Sequence, residues 1–193
     1  MYLLKGSSDK FYKIGLPNPE VKKAFADRLL ELLTTKKKDA KIRYTISFCE
    51  ALSSGDVNNI KEDFNTFFNE LSKELVTVFN EACFKDVLMI AMLTFNVSAS
   101  TEVMGACGRA DITAKAGDYL YVFELKVTDN SKDIATKLSE AKEQIIKNKY
   151  TRRLTDKTVV PVALVLENNS KRREKTDIPV CEIVALEKVD NWI

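Results

Sequence analysis

The sequence contains no histidine. That absence removes the usual general base at neutral pH, every Ser-His-Asp or Cys-His nucleophile system, and all His-ligated metals. Its four cysteines, Cys49, Cys83, Cys107 and Cys181, are scattered, with no CxxC pair. A disulfide framework and a structural zinc site are therefore not expected. No apolar run approaches the roughly 20 residues that a membrane-spanning helix needs. The opening "MYLLKGSSDKFYK" is too short and too polar for a secretory signal, so a cytoplasmic location and no membrane partner are expected. There is no GxxxxGK[ST] phosphate loop, no internal repeat and no low-complexity segment. Any catalysis must run on carboxylates, Lys, Tyr, Cys or a metal held by oxygen ligands. Net charge is only +2, so a nucleic-acid partner would have to be met by a local basic patch.

What is present suits a globular protein: 193 residues, 45% hydrophobic and 30% charged. The front half reads as helices. In "LPNPEVKKAFADRLLELLTT", Asn18 is the predicted N-cap and Pro19 the first helical residue, with Glu20 at the positive end of the dipole. Val21, Phe25, Leu29 and Leu33 recur every four residues, as on one helix face. A charged connector, a helix over 44–54 stopped at Gly55, a helix capped by Asp56, and a long apolar helix over 73–93 with a break near Phe79 and Asn80 follow. Residues 1–18 read as an irregular lead-in.

After residue 94 the texture changes. "TFNVSAST" is strand-like, and 109–116 and 119–127 alternate as two strands meeting at Gly117-Asp118, a tight hairpin. A helix is predicted over 131–150, and strands at 158–167 and 179–186.

Period two puts Leu120, Val122, Glu124 and Lys126 on one face of the second hairpin strand, a face that begins apolar and ends charged. A two-residue turn brings Asp111 opposite or diagonal to that charged end. Two carboxylates and one Lys could thus converge at a corner of the sheet. Mg²⁺ (or Mn²⁺) suits such a corner, because it takes oxygen ligands, few carboxylates and several waters. Asp111, Glu124 and the Leu125 carbonyl would be its ligands, and Lys126 would orient a water or neutralise phosphate charge. The competing reading is an ordinary strand-end ion pair.

The array Gly108-Arg109-x-Asp111, a hairpin, Glu124-Leu125-Lys126 and "AKEQIIKNKY" resembles the PD-(D/E)xK nuclease superfamily. It is most similar to the nuclease-like module that follows an AAA-ATPase-like domain in bacterial proteins. In "TEVMGACGRADI", Glu102 matches an acidic position of that group; in "NEACFKDVLMIAML", Glu81 matches the Glu of its first core helix. Ala110 replaces the Pro of the superfamily's name, and Phe84-Lys85 stands where those relatives carry an aromatic followed by His. The resemblance implies an α/β fold, a restriction-endonuclease-like mixed sheet flanked by helices. Residues 1–72 would be a helical N-terminal extension and 73–193 the nuclease-like domain. It also implies metal-dependent hydrolysis of nucleic-acid phosphodiesters, with DNA the first candidate, and an ATPase-like domain or protein as a further partner. The alternative is an inactive module that binds nucleic acid or a protein.

Within the resemblance, Gln144 faces the active site; periodicity alone makes it a polar boundary residue. Arg109 contacts a phosphate or pairs with Glu102. Tyr150 caps its helix, packs, or touches a phosphate. Residues 131–153 carry seven Lys/Arg against three Asp/Glu, net +4, which leaves the rest of the chain at −2. Lys142, Lys149, Arg152 and Arg153 of that segment are the predicted nucleic-acid contacts, the alternative being a solvated helix face.

Overall fold

A computed structural model describes residues 5–6, 12–13, 18–33, 38–71, 80–95, 97–104, 109–148, 156–169 and 181–190. Two short strands, β1 (Lys5–Gly6) and β2 (Tyr12–Lys13), pair antiparallel within the stretch expected to be irregular. Helix α1 (Pro19–Leu33) starts as predicted: the Asn18 side-chain oxygen accepts the Val21 amide at 2.9 Å. Helix α2 (Lys38–Ser54) begins earlier than its apolar pattern indicated and absorbs part of the charged connector. Gly55 ends it with φ 76°. A Cβ there would lie 2.6 Å from Tyr119 Cζ, so glycine is required by both conformation and space. Asp56 then caps α3 (Val57–Phe68), accepting the Asn58 amide at 2.8 Å.

Helix α4 (Glu81–Thr94) opens at Asn80, whose side chain accepts the Cys83 amide at 2.9 Å. The helix predicted over 73–93 therefore starts anew at this cap; its first part lies outside the described residues. Phe95 belongs to the end of α4 and is fully buried, so β3 (Ser98–Met104) begins later than the strand-like run suggested. β4 (Arg109–Ala116), β5 (Tyr119–Thr128), α5 (Ile134–Asn148, entered through a 3₁₀ turn at Ser131–Asp133), β6 (Thr158–Asn168) and β7 (Cys181–Lys188) complete the order.

The sheet runs β3-β4-β5-β6-β7. β5 and β6 are parallel and the other neighbours antiparallel, with α5 forming the crossover between the parallel pair. This is the predicted α/β fold: a five-stranded mixed sheet packed against helices, with further helices ahead of it. β6 is buried along nearly its whole length, as the continuous apolar run "VVPVALVL" requires of a strand covered on both faces. On one face Phe48, Phe64, Phe67, Phe84 and Leu88 of α2, α3 and α4 pack onto Ile112, Tyr121, Phe123, Leu125 and Leu164. On the other, Ala141 and Ile145 of α5 pack onto Ala110, Val122 and Ala163.

The apolar stripe read on α1 is not its buried face. Val21 is 40% and Phe25 52% exposed, while Ala26 is buried. A small residue lets α1 approach α4, and Phe25 then lines an apolar groove with Leu29, Met89, Ile90 and Leu93. No helix among the described residues is long and apolar enough to cross a membrane.

Candidate active site

The β4–β5 hairpin closes on Gly117, φ 52°, and Asp118. Its ladder runs from Ala116↔Tyr119 down to Ile112↔Phe123. Past that last pair a side chain takes over from the backbone: Asp111 Oδ2 accepts the Leu125 N–H at 3.0 Å. Packing changes at the same place. Ile112 and Ala114 belong to the larger core, whereas Ala110 packs on the α5 side with Val122. Asp111 therefore sits where β4 departs from regular alternation and parts from β5.

On β5 the alternation holds. Tyr121, Phe123 and Leu125 enter the larger core, and Val122 enters the α5 side. Two residues on, Glu124 is buried completely, with 0% exposure. Lys126 answers that charge, with Nζ 3.2 Å from Glu124 Oε1. The same ammonium lies 3.9 Å from Glu81 Oε1 on the first turn of α4. The end of β5 thus carries a polar corner because a buried carboxylate is matched by a nearly buried cation.

The structure adds a residue that the sequence reading did not single out as part of the site. Lys85 Nζ lies 3.5 Å from Asp111 Oδ1. Its signal was the four-residue spacing from Glu81, which puts both on one helix face. That face of α4 meets the hairpin end twice, at Lys126 and at Asp111.

The remaining predicted residues fall as follows. Glu102 lies in β3, bracketed by the pairs Thr101↔Ile112 and Val103↔Ala110, so the strand register sets its backbone level with Asp111. Arg109 is exposed at the start of β4. Gln144 is half-buried on α5 between the buried Ala141 and Ile145, and no hydrogen bond among the described residues joins it to Asp111, Glu124 or Lys126. Lys142 forms an ion pair with Glu187 of β7. Lys149, Tyr150, Arg152 and Arg153 lie outside the described residues. Burial pushes the Cys49 and Cys83 thiols up, with Asp86 adding to the shift at Cys83. Neither is a thiolate nucleophile at neutral pH.

Residues 79–176 match the PD-(D/E)XK nuclease superfamily. The chain belongs to that superfamily. No curated protein matches it. The matched span covers α4 and β3 through β6, the elements that hold Glu81, Lys85, Asp111, Glu124 and Lys126. PD-(D/E)XK nucleases typically use a divalent metal, and membership in a nuclease superfamily implies nucleic acid as the partner class. The donor chemistry of this member fits such an ion: hard carboxylate oxygens, Asp111 and Glu124, on neighbouring strands. Among the described residues no three Asp, Glu or Cys side chains form a ready cluster.

Proposed function

We propose that the protein is a metal-dependent nuclease hydrolysing nucleic-acid phosphodiester bonds, with DNA the first substrate to test. The observation that carries this reading is the meeting of Asp111 with Leu125, one residue from the buried Glu124–Lys126 pair. Asp111, Glu124 and the Leu125 carbonyl would hold Mg²⁺ or Mn²⁺. When bound, the ion supplies a Lewis acid for the phosphoryl oxygen and a water of lowered pKa. The protein's own groups do the rest. Lys126, tied to Glu124, brings fixed positive charge to the developing phosphorane. Gln144 is assigned to positioning, and Arg109 with the basic residues from 132 to 153 to the phosphate backbone; Glu102 and Glu81 supply acidity around the ion.

The finer placement is also ours: a cytoplasmic nuclease-like module of the kind that follows an AAA-ATPase-like domain, beginning near residue 73 after a helical extension. One observation favours a second reading, an inactive binding module. Both Asp111 oxygens already meet protein donors, Leu125 N–H and Lys85. Incubating the protein with circular DNA, linear DNA and RNA, with and without Mg²⁺ or Mn²⁺, separates the two. Cleavage that needs the metal and is lost in Asp111→Asn supports the nuclease. Binding without cleavage on every substrate supports the silent module.

A further inference from the structure

We infer that Lys85 is a built-in competitor for the cation site: its ammonium occupies the Asp111 oxygen that a divalent ion would need. The inference rests on the metal-dependent reading above, and it assigns that site a tuning residue.

Asp111 has two oxygens with unequal holds. Oδ2 accepts the Leu125 backbone amide at 3.0 Å, a bond fixed by the strand itself. Oδ1 meets Lys85 Nζ at 3.5 Å, at the outer limit of a hydrogen bond. The backbone amide cannot leave without moving β5. Lys85 sits at the end of a flexible four-carbon stem on the surface of α4 and is part-exposed, at 21%. Oδ1 is therefore the oxygen that can be exchanged, and Lys85 is the group that must yield.

Electrostatics give the sign. Glu81, Asp111 and Glu124 are compensated by Lys85 and Lys126 across the same end of the sheet. Lys126 serves a carboxylate with no exposure, so withdrawing it removes a counter-charge that water cannot replace. Lys85 serves one that solvent still reaches, so it is the cation of the two that an incoming ion replaces. Its charge also raises the local potential, which opposes cation entry until the ammonium swings away.

The test is calorimetric titration of Mn²⁺ into the wild type, Lys85→Met, Lys85→Gln and Lys85→Arg, each checked for folding by circular dichroism. Removing the ammonium should tighten Mn²⁺ binding by about fivefold, as loss of a partly exposed ion pair allows. Lys85→Gln stands beside Lys85→Met so that a packing defect in one does not decide the outcome. Lys85→Arg, which keeps the charge, should bind close to wild type. Equal or weaker binding in folded Met and Gln variants overturns the competition and leaves the metal-dependent reading in place. No Mn²⁺ heat in any of the four proteins overturns both.

Discussion

The Lys126 ammonium stands 3.2 Å from a Glu124 carboxylate that has no exposed surface. Lys126 is itself only 14% exposed, so this pair has a structural part beside the chemistry proposed for it. Lys126→Met should cost about 3 kcal/mol in urea unfolding, because it takes the ammonium away from a buried carboxylate. Pairing it with Glu124→Gln should restore part of that loss. Cleavage by Lys126→Met should fall by roughly 10²–10³ under conditions where the variant is folded. Stability and activity both at wild-type level would remove Lys126 from the site.

Asp111 separates shape from charge. Asp111→Ala leaves the Leu125 amide without its acceptor and should cost about 1–3 kcal/mol. Asp111→Asn keeps an oxygen for that amide, so it should retain most of the stability while losing metal-dependent cleavage. Equal destabilisation by both variants would show that the Leu125 bond is not what Asp111 contributes.

Lys142 is held back from phosphate by Glu187. Lys142→Glu should therefore weaken binding to duplex DNA less than reversal at Lys132 or Lys147, which are exposed on the same segment. Glu187→Ala should strengthen binding and steepen its dependence on salt. Fluorescence anisotropy across a salt series reads both. Salt-insensitive binding would take nucleic acid off this face.

Tyr121 gives an alkaline signature. Its hydroxyl donates to the Leu52 carbonyl at 2.6 Å, and burial first, then neighbouring Tyr119, push its pKa up to about 12. Below the ordinary value of 10 both folded and unfolded chains hold the proton and the group is neutral in effect. As pH rises past 10, the unfolded chain releases the proton first, so stability falls until the folded pKa is passed. The full loss is about 2–3 kcal/mol. Tyr121→Phe should start about 1 kcal/mol less stable and lack that decline. Parallel curves for the two proteins in urea melts from pH 9 to 12 would contradict it.

The hairpin was the most legible part of the chain. Gly117-Asp118 and the alternation on either side of it set the strand limits, and those limits put Asp111 beside the Glu124 end. Local pattern suffices there because the turn fixes the register. The α1 stripe misled because periodicity reports that a face is apolar, not what covers it; Ala26, not Phe25, faces α4 closely. The contact of Lys85 with Asp111 spans 26 residues and joins a helix to a strand, so the four-residue spacing from Glu81 marks its helix face but not its partner. The site's second cation is a product of tertiary packing, and no local spacing encodes the distance.

The bond from Leu125 to Asp111 has a consequence for observation. Most central-strand amides are locked by neighbouring backbone and exchange with solvent deuterium only when the sheet opens. The Leu125 amide is locked on the β4 side by a carboxylate instead. Its protection depends on one side chain, so a single amide resonance would report on the Asp111 carboxylate while every flanking signal stays still.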